Sequence, residues 1–185
     1  ERTADMVPSP LPELDANNPL AQVFADPNSM SFKAFVMTAD LLGNPLYMNS
    51  REWRAAEIPG ANGHGNARAL ARVYGALARG GELDGVRILS PEAIDAAIQE
   101  QCHGMDAVMV GFPSRFALGF ALPVPETRIA PGERVFGHGG LGGSQAFADP
   151  DAKLGFGYTM NKMLFSNEPV DPRQVSLIGA VYESL

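Results

Sequence analysis

Cysteine is almost missing from this 185-residue chain, Cys102 being the single one. That excludes a disulfide framework and a thiol-rich metal site. A Cys–His nucleophile with His103 is disfavoured too, because adjacent side chains face apart and no orienting acid is evident. Basic residues are outnumbered, 14 Lys and Arg against 21 Asp and Glu. The resulting net charge of −7 leaves no basic stripe for phosphates and excludes nucleic acid as a partner. A small neutral or cationic ligand, or a protein partner, suits such a surface better. No run of about 18 apolar residues occurs, which excludes a membrane-spanning helix. A positively charged start followed by an apolar core is lacking as well, so no signal peptide is visible; the compartment stays open, with the cytoplasm favoured. The first residue is Glu1 rather than methionine, and the expectation is the later part of a longer polypeptide.

What is present is enough for one sizeable core, with hydrophobic residues at 45%. Residues 1–60 read as an irregular lead-in belonging to a larger domain. Pro8, Pro10 and Pro12 forbid a regular helix, and only a short one is expected near Leu20–Ala25, with Asn18 as cap and Pro19 first. Residues 31–65 keep the irregular character. Order improves from residue 61 to 185. "NARALARVYGALARGG" places Ala67, Leu70, Ala71, Tyr74, Leu77 and Ala78 on one stripe, with Asn66 as cap and Gly80 as stop. After a turn at "ELDGVRIL", "SPEAIDAAIQEQ" predicts a helix capped by Ser90, with Pro91 first and Ile94, Ala97 and Ile98 inward.

Beyond Gly104 the period shifts toward two. "RFALGFALPV" predicts a strand with Phe116, Leu118 and Phe120 on one face; "RVFGHG", "SQAFAD" and "KLGFGYTMN" predict three more. "DPDAK" supplies a hairpin turn between the last two. A final helix is capped by Asp171, with Val175, Ile178, Val181 and Tyr182 inward. The fold class is α+β, an antiparallel sheet covered by helices.

The residues "GHGGLGGS" at 137–144 put a histidine among glycines between two strands. A lipase-type oxyanion loop is excluded by order: a nucleophile elbow should lie well downstream, yet the near match at Ser144 overlaps the glycines and all three histidines precede it. Metal binding is not supported either. His64, His103 and His138 are far apart in sequence, with no pair on a common element. Two readings stay open. The glycines let a substrate lie against bare main chain with an N–H free for a developing oxyanion, or they only permit a bulge.

The runs "AEIPGANGHGNARALARVYGALARGGELDGVRILSPEAI" and "FGHGGLGGSQAFADPDAKLGFGYTMNKM" together resemble the β-lactamase-related serine hydrolases. That family includes class C β-lactamases, D-alanyl-D-alanine carboxypeptidases and esterases, and the likeness is greatest to the esterase-like branch. It implies a β-lactamase/transpeptidase-like fold and acyl transfer through an acyl-serine, with no metal or cofactor. Members carry a Ser-x-x-Lys, a Tyr-x-Asn or Tyr-x-Ser, and a Lys-Thr-Gly or His-x-Gly on an edge strand. His138-Gly139-Gly140 matches the third. The resemblance then implies that His138 polarises the tyrosine or substrate, that Gly139 and Gly140 face the acyl group, and that Leu141 N–H is one oxyanion donor. Histidine in the lysine place also implies an ester rather than a β-lactam, since it lacks a fixed cation.

No serine here has lysine three residues later. Thr159 and Lys162 have the spacing, but lie beyond the third motif, and Tyr47-Met48-Asn49 satisfies its motif only by chance. The expectation is therefore the C-terminal portion of the fold, a partial domain whose nucleophile and base lie on a missing N-terminal segment. Alone it would be inactive toward a small-molecule ester or amide, with Phe116, Phe120, Phe147 and Phe156 lacking cover. The rival expectation is a non-catalytic binding protein on the same fold.

Overall fold

The computed structural model describes residues 3–9, 19–37, 44, 46–109, 112–128, 130–164 and 170–185. Asn18, Pro10 and Pro12 lie outside the described residues. Two compact units result, one of Glu1–His64 with Met105–Phe112 and Asn161–Phe165, the other of Gly65–Gly104, Pro113–Met160 and Ser166–Leu185.

The first unit is less irregular than its prolines suggest. It holds helices α1 (Pro19–Ala25), α2 (Met30–Phe32) and α3 (Arg51–Ala55), a π-helical turn at Lys33–Met37 and a 3₁₀ turn at Tyr47–Asn49. Local side chains start these turns: Ser29 accepts from Phe32 N at 2.9 Å, and Ser50 from Trp53 N at 3.1 Å. Such caps need only a serine in the right place, so they escape a reading based on periodicity. Val7 makes a parallel bridge to Lys162.

In the second unit α4 (Ala67–Ala78) forms as the stripe requires. Asn66 accepts from Ala69 N at 2.9 Å, and Gly80 ends the helix at φ 80°. Strands β1 (Glu82–Leu83) and β2 (Val86–Arg87) make a hairpin across Asp84 and Gly85, both at positive φ as a type I′ turn needs. Helix α5 (Pro91–Ala97) follows its Ser90 cap and buries Ile94. Then come β3 (Cys102–Met105), β4 (Pro113–Phe116), β5 (Ala121–Leu122), β6 (Phe136–Gly139), β7 (Gln145–Asp149) and β8 (Leu154–Tyr158), neighbours in that order in one sheet, and antiparallel from β4 to β8. Helix α6 (Pro172–Glu183) closes the chain from its Asp171 cap. Among the described residues no helix is long and apolar enough to cross a membrane.

Successive side chains of a strand point to opposite faces, and here both faces are covered. Phe136 and Ala148 pair across β6 and β7 and face Leu77, Ala78 and Ile94 of α4 and α5. Phe147 turns the other way, stacks on Phe156 at 5.1 Å and meets Ile178 of α6. Phe147 is 1% exposed, so the expectation that it lacks cover is wrong: this chain's own α6 supplies it. Two further expectations fail. "RFALGFALPV" is not one strand; the chain reverses at Leu118 and Gly119, with Ala117 N bonded to Phe120 O at 2.8 Å and Leu118 exposed. Gly119 at φ 82° makes that reversal, and alternation alone did not show it. On α6, Val175 faces solvent and Gln174 takes the buried position, because a loop carbonyl waits for its amide.

Asp149 ends β7 almost fully buried, with its Oδ1 accepting from Asp151 N and Ala152 N and its Oδ2 accepting from Tyr182 O–H at 2.5 Å. Burial first, and then this bond to a carboxylate, push the Tyr182 phenol well above its usual range. A raised phenol pKa means the folded state holds the proton more tightly than the unfolded chain. The stabilisation is therefore complete below about pH 10 and is lost as pH rises beyond it. Tyr182→Phe should lower stability by about 1.5–3 kcal/mol at pH 8, because it leaves a buried carboxylate oxygen unpaired. Urea titrations at pH 8 and 11 should also show the variant losing less on the alkaline side. Tyr74, likewise raised by burial, retains its share of that loss. Equal alkaline losses in both proteins would count against the assignment.

Candidate active site

The hairpin of β6 and β7 carries the glycine-flanked histidine. His138 pairs with Ala146 and Gly139 with Gln145, so two small residues, a glutamine and the histidine meet at the strand end. Phe136 and Gly137 are buried, whereas His138, Gly139 and Gly140 are exposed. The transition from core to solvent falls at the histidine. Its ring stacks on Phe116 with centroids 6.0 Å apart and planes 27° apart. His138 Nδ1 lies 2.6 Å from Gly139 O. A carbonyl only accepts, so Nδ1 carries the proton and Nε2 presents its lone pair outward in the neutral ring.

The glycines answer to their own hairpin as well as to any ligand. A Cβ on Gly139 would come within 2.8 Å of Gln145 Oε1, and one on Gly140 would strike Ser144 Oγ. Gly140 N donates to Ser144 O at 2.8 Å, and Gly143 N donates back to Gly140 O at 3.1 Å. Residues 140–143 therefore form a four-residue turn. Leu141 keeps negative φ and Gly142 stands at φ 82°, the type II pattern. Among the described residues Leu141 N–H has no acceptor, and its side chain is exposed.

The back of this turn is held by α6. Arg173 Nη2 donates to Gly142 O and Gln174 Nε2 to Gly143 O, both at 2.9 Å. Asp171 pairs with Arg173 at 2.5 Å, which holds the carboxyl below the usual carboxylate range and raises the guanidinium. A Cβ on Gly143 would strike both side chains, so this close approach needs glycine. In the sequence alone, "DPRQ" reads only as a helix start. Nothing in its spacing tells that residues 31 positions from the loop return to it.

The other sequence candidates stand apart. Asn49 is committed to Met6, accepting from its N–H at 2.7 Å and donating to its carbonyl at 2.8 Å, and Met48 is buried. Thr159 follows the end of β8 rather than starting a helix. Ser144 lies just before β7, and among the described residues no base bonds its hydroxyl. His103 lies exposed on β3, 3.9 Å from Glu100. No metal-binding group of three His, Cys, Asp or Glu side chains forms among the described residues.

A helix-covered antiparallel sheet whose exposed strand end carries His-Gly-Gly defines a class, and comparison with known proteins identifies it. The sequence model of the Beta-lactamase family matches residues 6–180, and the chain belongs to that family. The esterase/beta-lactamase LipL of Mycobacterium tuberculosis is 42% identical over 109 residues, 59% of this chain and 24% of LipL. A crystal structure of a family VIII carboxylesterase is 50% identical, with TM-score 0.69 over 74% of this chain and 36% of that one. EstA from Arthrobacter nitroguajacolicus is 31% identical, with TM-score 0.74 over 97% of this chain and 45% of that one. The chain thus spans about a quarter of the curated relative's length and less than half of either solved one.

Proposed function

We propose that these residues form the substrate-edge part of a serine esterase acting by acyl transfer, with its nucleophile and base on a segment outside them. The observation that carries the reading is the exposed His138-Gly139-Gly140 strand end, finishing in a Leu141 N–H without an acceptor among the described residues. In this reading the ester lies along Gly139 and Gly140. A serine oxygen attacks its carbonyl carbon, and the oxygen that gains charge is held by Leu141 N–H. The alcohol leaves with a proton, and water then releases the acyl group as the acid. His138 Nε2, steadied by Phe116, accepts a hydrogen bond from the tyrosine or substrate during these transfers. An ester is favoured over a β-lactam because His138 offers no fixed cation for a drug carboxylate. No metal or cofactor enters the reading.

A chimera tests it, with the matching part of this chain replacing its equivalent in the family VIII carboxylesterase. The chimera should hydrolyse p-nitrophenyl butyrate, and His138→Ala should lower kcat/KM about 10²-fold or more. Undiminished turnover in that variant would remove His138 from the reaction. Fluorophosphonate labelling of the 185-residue chain should leave every serine unmodified. A stoichiometric adduct on Ser144 would place the nucleophile here and overturn the reading.

A further inference from the structure

We infer that Arg173 strengthens Leu141 N–H as an oxyanion donor through two intervening peptide groups, acting as a positioning residue. This rests on the esterase reading above. The path is continuous in hydrogen bonds. Arg173 Nη2 donates to the carbonyl of the Gly142–Gly143 peptide at 2.9 Å. The N–H of that same peptide donates to Gly140 O at 3.1 Å. Gly140 O belongs in turn to the Gly140–Leu141 peptide, whose N–H is Leu141's. In a trans peptide the C=O and N–H point in opposite directions. The first carbonyl faces α6, so the Gly143 N–H faces across the turn. The Gly140 carbonyl faces into the turn, so Leu141 N–H faces out.

Both peptide dipoles are therefore aligned head to tail, with a guanidinium at one end and the candidate oxyanion donor at the other. A cation on a carbonyl draws electron density along the peptide and makes its N–H a stronger donor, and chained bonds reinforce one another. Asp171 keeps the guanidinium in place with bonds to Nη2 at 2.5 Å and Nε at 3.0 Å. Gly143, at φ 113°, allows these side chains to approach the turn.

Gln174 supplies the internal comparison. It holds the next carbonyl, Gly143 O, at 2.9 Å. That carbonyl belongs to the Gly143–Ser144 peptide, whose N–H does not lead to Leu141. Arg173 and Gln174 thus anchor the same turn, and Arg173 alone of the two feeds the path.

The test uses two readouts. In the chimera, Arg173→Met should lower kcat about tenfold with KM within about twofold, because the interaction grows only as the oxyanion develops. Arg173→Lys, which keeps a positive charge, should recover part of the loss. Gln174→Met should reduce thermal stability with a smaller change in kcat. In the ¹³C,¹⁵N-labelled 185-residue chain, Arg173→Met should move the Leu141 and Gly143 amide protons upfield, and Gln174→Met should move them less. The inference is overturned if Arg173→Met leaves kcat unchanged, or if Leu141 keeps its shift while the Gly142 carbonyl moves. Should the unmutated chimera be inactive, the esterase reading falls, and the amide shifts still decide the path. If Arg173→Met does not fold, the Arg173→Lys shifts and kcat decide it instead.

Discussion

Leu141→Pro should lower kcat of the chimera about 10²–10³-fold while leaving the hairpin folded. Proline deletes the N–H proposed to hold the oxyanion and changes little else. Leu141 is the second residue of a type II turn, where proline's φ near −65° is favoured. Gly140 directly follows β6, and an extended residue is what a following proline requires. The leucine side chain is 45% exposed, so little packed volume is lost. Its N–H has no acceptor among the described residues, so the fold loses no hydrogen bond there. Few substitutions separate chemistry from stability so cleanly. A melting temperature close to that of the parent chimera, with kcat reduced and KM little changed, is the expected combination. Retention of kcat within about threefold would exclude Leu141 as a donor.

Gly155→Val should destabilise the 185-residue chain by about 3 kcal/mol or more, beyond the ordinary overpacking range. The melting temperature should fall by roughly 6–12 °C for a chain of this size. A Cβ on Gly155 would strike the backbone of Gly75 and come within 2.6 Å of Ala71 O. Gly157, two residues on and on the same face, would bring its Cβ within 2.6 Å of Ala67 O. Ala67, Ala71 and Gly75 follow one another at i, i+4 and i+8 on α4. They form a stripe of small residues lying on two strand glycines, so helix and sheet meet backbone to backbone. No rotamer change relieves a clash with backbone; α4 must lift, and Leu77 and Ala78 lose their seat beside Phe136 and Ala148. A shift below about 2 °C would show that α4 yields at little cost.

The glycines of β8 illustrate how far local pattern reaches. In the sequence they read only as strand positions, and their partners on α4 lie some 80 residues earlier. Helix limits were far easier to read. Asn66, Ser90 and Asp171 each cap the helix they were expected to start, because a cap is a bond between neighbours. The β6, β7 and β8 segments were readable for a similar reason, as short runs of aromatic and small residues bounded by turn residues. "RFALGFALPV" misled because a tight reversal at Gly119 preserves the same alternation of large and small residues. Val175 misled because the helical period marks the inward stripe but not which of its edges faces a hydrogen-bond partner.

At the site, the sequence by itself determined the family, the place of His138-Gly139-Gly140 on a strand end and the want of a Ser-x-x-Lys within these residues. All of these are properties of residue type and spacing along one stretch. Only the tertiary structure decided the rest: the Phe116 ring on His138, the Leu141 N–H left without an acceptor among the described residues, and Arg173 and Gln174 behind the turn. Those contacts join β4 to β6 and α6 to the β6–β7 loop. Hydrogen bonds and ring stacking act over a few ångströms in space, whatever the separation along the chain, so they arise only after the sheet has formed and α6 has packed upon it.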